Sequence, residues 1–431
     1  MPYFPSYPRY KCHLPAWLSS IPEHWETTRL KFLVSVNDDT LDESTDPDTE
    51  IEYVDISSVS LLGGIEQIEH LVFGKAPSRA RRLVKDGDII ISTVRTYLKA
   101  IAAVRKPSDK LVVSTGFAVL RPTTVLHPDF AAYFVQSNGF IGEVVARSAG
   151  VSYPAINPSE LVRIPAVLPP KDEQLSISRF LDFKTKQIDA LIDKRRVLLE
   201  KLAEKRKSLI RWTVTKGIHR AVSMKHSGSP WLGSVPAHWK ILPLKFAVMF
   251  QRGHDLPAAE RVAGAVPLVS SSGISSSHDV AIAKGPGIVT GRYGTIGEFT
   301  YVEEDYWPLN TTLYSVEMYG NNARYLWYMM QLLADIFIMN SKKGAVPGVD
   351  RNDLHPVSTV LPPKDEQIDI VDYLDRETRK LDEQASKIRD IIERTLEYRA
   401  ALISDAVTGQ IDVRKVSIPG TEAPADSAMG A

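Results

Sequence analysis

The sequence predicts a duplicated α/β (α+β) protein: two globular mixed α/β bodies, each followed by one long α-helix, with the two helices paired as an antiparallel coiled coil. Three observations carry that prediction. The heptapeptide LPPKDEQ occurs at Leu168–Gln174 and again at Leu361–Gln367, each copy opens a long charged segment, and each follows a body in which short apolar runs alternate with turn residues.

The repeat extends well past the heptapeptide. At an offset of 193 residues (361 − 168), LPPKDEQLSISRFLDFKTKQIDAL runs against LPPKDEQIDIVDYLDRETRKLDEQ, and the register reaches LIRWTVTKGI at Leu209–Ile218 against LISDAVTGQI at Leu402–Ile411. A second pair lies upstream at an offset of 214 (231 − 17), where WLSSIPEHWETTRLKF begins at Trp17 and WLGSVPAHWKILPLKF at Trp231. Each half therefore has one frame: a lead segment with a His-Trp pair, a body, a PPKDEQ junction and a long helix. The bodies differ in length by 21 residues (214 − 193) and share little identity, so the frame is duplicated while its contents have diverged.

The first body, Trp17 to Val167, reads as mixed α/β. GDIIISTV (Gly87–Val94), LKAIAAV (Leu98–Val104) and LVVSTGFAVLRP (Leu111–Pro122) predict strands, and FAAYFVQS (Phe130–Ser137) predicts a helix. The second body, Trp231 to Val360, keeps that order with GPGIVTGRYGTIGEFTYV, LNTTLYSVEM and the helical ARYLWYMMQLLADIFIMN. Turn-rich segments, GVSYPAINPSELVRIPAVLPP and GAVPGVDRNDLHPVSTVLPP, lead each body back to its helix.

From Asp172 to Thr215 there is no proline or glycine. Apolar residues at spacings of three, four and seven predict a pairing seam of Leu181, Ile188, Leu191, Leu198, Leu202 and Leu209, matched in the second copy by Leu374, Leu381, Ile388, Ile391 and Leu402. The double prolines precede the first turn, where absent N–H groups cost little, and Asp172–Glu173 and Asp365–Glu366 put negative charge at the positive end of the dipole. Gly217 and Gly409 mark the ends. Helices of roughly 65 Å are too long for one globule and need partners. The alternative is that each folds back on its own body. Basic residues outnumber acidic ones 13 to 7 in the first helix and are outnumbered 8 to 12 in the second, which favours pairing. The expected division is 1–167 and 218–360 for the bodies, 168–217 and 361–411 for the helices, and a disordered tail over 412–431, seen best in PGTEAPADSAMGA from Pro419.

Composition excludes several classes of function. Hydrophobic residues at 44% and charged residues at 24% exclude wholesale disorder, no apolar run is long enough to span a membrane, and the N-terminus lacks a secretory pattern, so a cytoplasmic chain is expected. Cys12 is the single cysteine, which excludes an internal disulfide and makes thiolate metal sites implausible. The 52 basic and 52 acidic residues cancel, so only their distribution bears on a polyanionic partner.

Basic residues interleaved with aromatics and hydroxyls occur in both bodies. Candidate DNA contacts are Arg79, Arg81 and Arg82 in SRARRLVK, then Arg95, Tyr97 and Lys99 in STVRTYLK. In the second body they are Arg252 in QRGHD, Arg292 and Tyr293 in GRYGTIG, and Lys342 and Lys343 in NSKKG. Arginine forks read guanine edges or bind phosphate, and lysine grips phosphate; a solvated basic surface is the alternative for each patch. No catalytic or metal-binding motif is present: no GxxxxGK[ST], HExxH, GxSxG or Cys/His cluster, and GRYGTIG does not have dinucleotide-loop spacing. His24 and His238 recur in the His-Trp pairs without a sequence-adjacent partner and read as packing residues.

Taken together, the two WL..IP.HW segments, STGFAVLRP, and the two PP..EQ junctions opening long helices resemble the specificity (S) subunits of type I restriction-modification systems, over nearly the whole chain. The resemblance implies a non-catalytic chain whose divergent bodies are target recognition domains, each reading one half of a bipartite double-stranded DNA site. It implies that the paired helices set the gap between the halves and that two methyltransferase subunits, which methylate adenine, bind the frame. Motor-nuclease subunits would join for cleavage. S-adenosylmethionine, ATP and Mg are expected on those partners, with no cofactor in this chain. Because the bodies differ, the expected target is asymmetric. Near-zero net charge departs from a simple basic binder and is attributed to acidic scaffold surfaces. A protein-binding adaptor with a coiled-coil ruler is the alternative of a different class, and an autonomous nuclease the third.

Overall fold

The computed structural model describes residues 4–12, 15, 17–219, 221–341 and 348–416. Two compact units form: Met1–Arg195 with Asp390–Ala431, and Arg196–Arg389. The division falls inside the two long helices rather than at their ends, because half of each helix packs into each unit.

The first body runs through β1 (Glu26–Arg29), β2 (Val34–Val36), β3 (Glu50–Val54), β4 (Glu69–Val72), β5 (Ala80–Leu83), β6 (Ile89–Ser92), β7 (Ile101–Ala103), β8 (Leu111–Ser114) and β9 (Phe117–Pro122). Helices α1 (Pro128–Val135), α2 (Asn138–Ala146) and α3 (Pro158–Leu161) follow, then β10 (Pro165–Leu168) and the long α4 (Lys171–Lys216). Two four-stranded sheets have the orders β7-β6-β9-β2 and β4-β3-β8-β5, with β3 and β8 parallel. Every residue of β6 is buried, which fits its continuous apolar run and central place in the sheet. Pro128 starts α1 behind the His127 cap, and Phe130 and Phe134 turn inward against Ile89, Ile91 and Leu120.

The second body contains β11 (Lys240–Pro243), β12 (Met249–Arg252), β13 (Val266–Ser270), β14 (Gly273–His278), β15 (Gly287–Gly291), β16 (Phe299–Val302), β17 (Trp307–Pro308) and β18 (Thr312–Glu317). It continues through α5 (Ala323–Leu332), α6 (Ala334–Ser341), α7 (Arg351–Leu354), β19 (Ser358–Leu361) and the second long helix, α8 (Lys364–Val407). Its sheets, β12-β18-β15-β16 and β14-β13-β17, repeat the strand order of the first body, including a parallel pair, β13 with β17, except that the three-stranded sheet has no counterpart of β5. Duplication thus reaches into the bodies, where side chains have diverged but topology has not.

In both units the lead strand pairs antiparallel with the strand before the junction, β1 with β10 and β11 with β19. The junction itself is a hydrogen-bond lock. Glu173 is buried at the start of α4, where His24 Nε2 lies 2.7 Å from its Oε1 while Tyr7 Oη and Trp25 Nε1 donate to its Oε2 at 2.8 and 3.0 Å. In the second unit His238 Nε2 lies 2.6 Å from Glu366 Oε1, and Trp239 Nε1 donates to Oε2 at 2.6 Å. The next residue ties down the body. Gln174 accepts from the His127 N–H (2.7 Å) and donates to the Pro169 and Val125 carbonyls (2.8 and 3.2 Å). Gln367 accepts from the Asn322 N–H (2.8 Å) and donates to the Pro362 carbonyl (3.0 Å). The histidines of the His-Trp pairs therefore do have acidic partners, a correction to the sequence reading: the partners lie more than 120 residues away, in the junction.

The long helices follow one heptad seam in a common register. On α4 it runs Leu181, Thr185, Ile188, Ile192, Arg195, Leu199, Leu202, Arg206, Leu209 and Thr213, and the residues 193 further on do the same in α8; none of them is exposed. Of the residues expected to pair, Leu181, Ile188, Leu202, Leu209, Leu374, Leu381, Ile388 and Leu402 lie on this seam. Leu191, Leu198 and Ile391 do not, being 48%, 46% and 42% exposed. Each stands directly before another apolar residue, Ile192, Leu199 or Ile392, and the seam takes the second; the first is turned about 100° away. In the first unit Arg399 grips Asp189 through two bonds of 2.8 and 3.3 Å; in the second, Arg206 meets Asp382 at 3.2 Å. The same two helix positions pair with roles exchanged. Moving 17 residues forward on α4 (189 to 206) moves 17 back on α8 (399 to 382), as antiparallel pairing requires.

Gly217 and Gly409 end the helices in the left-handed region, at φ of 78° and 75°. A side chain at Gly409 would strike the Pro22 ring, so the close approach also requires glycine. Gln410 then donates to the Ser20 carbonyl (2.9 Å), and the Asp412 N–H donates to the Pro5 carbonyl (2.7 Å). Residues 412–416, expected as part of a disordered tail, are thus built onto the lead segment, with Asp412 and Val413 buried. The segment from Pro419 lies outside the described residues. Among the described residues no helix is long and apolar enough to cross a membrane.

Candidate nucleic-acid interface

In the first body the chain leaves β6 and turns sharply at Val94–Lys99. Arg95 and Lys99 both take positive φ, 50° and 53°, flanking a short 3-10 turn at Thr96–Leu98. For residues with a Cβ this costs on the order of 1 kcal/mol each and persists only where the surroundings hold it. The surroundings do hold it. The N–H and Oγ1 of Thr93 donate to the Gly116 carbonyl at 2.8 and 2.9 Å, Ile156 donates its N–H to the Thr93 carbonyl at 2.8 Å, and the Thr96 and Ser148 hydroxyls lie 2.8 Å apart. The rigid turn and the facing segment Gly150–Pro154 present Val94, Arg95, Tyr97, Leu98, Lys99, Val151 and Tyr153 to solvent. The Arg95 guanidinium sits over the Tyr153 ring, 5.0 Å from its centroid.

The second body places a different loop at the equivalent sheet end. After β15, the Arg292 N–H donates to the Thr311 carbonyl (2.8 Å) and its own carbonyl accepts from Val349 (2.9 Å), matching the Ile156–Thr93 bond. Gly294 and Gly297 have φ of 75° and 85°, so glycine permits here the turns that Arg95 and Lys99 make under restraint. Arg292 stacks over the half-exposed Tyr293 ring at 4.8 Å. Arg252, at the end of β12, is exposed beside the same strand ends, 3.9 Å from Asp255. Lys342 and Lys343 lie outside the described residues.

The structure therefore gathers Arg95, Tyr97 and Lys99 in one surface and Arg252, Arg292 and Tyr293 in another. It splits SRARRLVK. Arg79 is held by Asp55 (2.9 Å) and the Tyr53 hydroxyl (3.1 Å), which raise its pKa. Arg81 lies over the Phe73 ring at 4.6 Å. Arg82 is half-buried, with its Nε shielded from solvent and its pKa lowered by burial. Alternation along β5 turns neighbouring arginines to opposite faces, which a cluster read from sequence ignores. Sequence reasoning missed Val94, Leu98, Val151 and Tyr153. Their signal was aromatic and aliphatic residues beside turns, where no core takes them up.

Both surfaces combine guanidinium or ammonium groups with exposed aromatic rings on restrained loops. That set can grip phosphates, reach base edges and wedge against a base step. Among the described residues, no group of three or more His, Cys, Asp or Glu side chains is placed to hold a metal ion.

Comparison with known proteins follows the same line. Residues 258–394 match the family described as type I restriction modification DNA specificity domain. No curated protein matches. A chain from a structural study of complex assembly and conformational transition of the type I R-M system superposes with a TM-score of 0.67 at 22% identity, covering 91% of this chain and 99% of that one. The HsdS subunit from Thermoanaerobacter tengcongensis aligns over 91% of this chain and 98% of its own at 21% identity with a TM-score of 0.47, too low to add weight. The family match and the fold agree with the resemblance carried by the repeated motifs: residues 258–394 form a type I restriction-modification DNA specificity domain, and the chain as a whole shares the fold of a chain solved in a study of the type I R-M system.

Proposed function

We propose that the chain is the specificity (S) subunit of a type I restriction-modification system and reads an asymmetric bipartite DNA target, with the recognition domain within residues 1–167 reading one half and that within 218–360 the other. The observation that carries this reading is one frame bearing two unlike surfaces. Sheet order, junction lock and heptad seam recur, while Arg95, Tyr97, Lys99 and Tyr153 stand in one body where Arg292, Tyr293 and two glycines stand in the other. An unchanged scaffold with changed loops is what two half-site specificities require.

The paired helices act as the spacer that fixes the separation of half-sites, and the frame docks two methyltransferase subunits, with motor-nuclease subunits completing the complex. The chain itself is non-catalytic and works in the cytoplasm; S-adenosylmethionine, ATP and Mg belong to its partners. Footprinting with the cognate methyltransferase subunit tests the reading. Two protected half-sites separated by an unprotected gap are expected, and a protein-binding adaptor would protect no specific sequence.

A further inference from the structure

Nine residues recur at matching positions in the two lead segments, and the fold accounts for seven of them. The Ser20 and Ser234 carbonyls accept hydrogen bonds from Gln410 and Lys216. Both tryptophans at the segment starts and the following leucines pack into the cores, the prolines are buried, the His-Trp pairs hold the junction glutamates, and Leu30 and Leu244 are buried at 1% and 0% exposure. The remaining two are the final Lys-Phe, whose side chains lie outside the core.

Phe32 and Phe246 are exposed at 63% and 55%. Each closes an equivalent 3-10 turn, Leu30–Phe32 or Leu244–Phe246, and each ring carries the preceding lysine, with Nζ 4.7 and 4.9 Å from the centroid. The mounts are rigid and alike. The N–H groups of the leucine and lysine donate to the carbonyls of Ile164 and Val162 in one unit, and of Val357 and His355 in the other. A phenylalanine left more than half exposed gains little from folding, and a scaffold whose bodies have diverged to little identity does not keep one twice by packing.

From this we infer that Phe32 and Phe246 are equivalent docking knobs, one for each of two copies of the same protein subunit, which receives the ring in an apolar pocket rimmed by acidic or carbonyl oxygens for Lys31 or Lys245. DNA is the less suitable occupant. The two bodies present unlike surfaces to it, whereas these knobs are identical and call for an identical partner at each. The inference rests on the proposed recruitment of two methyltransferase subunits and assigns where each is held.

The test uses the full chain with the methyltransferase subunit of its own system, reading stoichiometry by mass photometry and affinity by calorimetry. Two subunits are expected on the unaltered chain. F32S and F246S each leave one tight site and weaken the other about tenfold or more, as loss of a buried phenylalanine ring implies. The charge reversals K31E and K245E, which leave the ring in place, weaken the same sites. Unchanged binding of two subunits by F32S, F246S and the double variant, with melting temperatures preserved, overturns the inference while leaving the proposed function intact. Failure of the unaltered chain to bind any methyltransferase subunit overturns both. Loss of DNA protection by F32S without loss of a subunit transfers the knob to DNA and also overturns it.

Discussion

Trp25 and Glu173, 148 residues apart, are joined by a 3.0 Å hydrogen bond from the indole N–H to the carboxylate, and Trp239 and Glu366 repeat the bond at 2.6 Å. The relationship explains why a His-Trp pair and a PPKDEQ junction are duplicated together. One lock holds the lead segment, the helix start and the body in a fixed orientation, so neither motif keeps its purpose without the other.

Replacing Glu173 by alanine strands the Tyr7 hydroxyl and the Trp25 N–H beneath the surface, and we expect a loss of about 2–3 kcal/mol. E366A costs less, because the Glu366 side chain is 28% exposed and water can replace it. Denaturant unfolding, with hydrogen exchange to locate the loss in each lead segment, checks the order of the two effects.

The heptad register makes opposite predictions for neighbouring apolar residues. I192A removes a buried side chain and is expected to cost about 2–4 kcal/mol, whereas L191Q changes an exposed one and stays within about 0.5 kcal/mol. Thermal unfolding of the two variants decides between this seam and the one through Leu191.

The exchanged ion pairs provide a reciprocal test. D189R and R399D each break a pair whose arginine is buried, and the double swap D189R/R399D recovers part of the loss, with a coupling of about 1 kcal/mol. The equivalent swap at Arg206 and Asp382, both more exposed, recovers only a few tenths. A double-mutant cycle in low and high salt reads both.

His355 accepts a hydrogen bond from the Phe250 N–H at 3.2 Å, which requires a neutral nitrogen, and burial together with Arg351 lowers its pKa. A lowered folded pKa means the unfolded chain binds the proton more readily. The contribution is therefore fully present above the ordinary histidine pKa near 6.5 and is lost as pH falls through the lowered folded value. Melting curves across that range should show H355Q flattening the acid-side decline.

Much of the frame was legible in the sequence because it is written in repeated words: the PPKDEQ helix starts, the terminal glycines and the central strand GDIIIS all follow from local rules. What was hidden depends on contacts between distant segments. No spacing rule connects His24 to Glu173, and nothing in Leu191–Ile192 says which of two apolar neighbours faces a partner helix. The common strand order of the bodies was hidden too, since topology survives divergence of side chains. At the candidate interface, Arg95, Tyr97 and Lys99, which the structure gathers on one exposed surface, could be picked from composition. Tyr153 could not, because only the fold brings Gly150–Pro154 beside Thr96, through a 3.4 Å backbone bond from Thr96 to Pro154.

The most direct test of the central claim, that two unlike loops on one frame read two half-sites, is a genome-wide map of methylated adenine in cells expressing the unaltered chain, no chain, or R95A/Y153A. The account predicts one asymmetric bipartite motif with the unaltered chain and none without it. With R95A/Y153A, sequence preference is relaxed at one half of that motif while the other half is kept. Methylation unchanged by removal of the chain, or relaxed equally in both halves by the substitutions in one body, would contradict it.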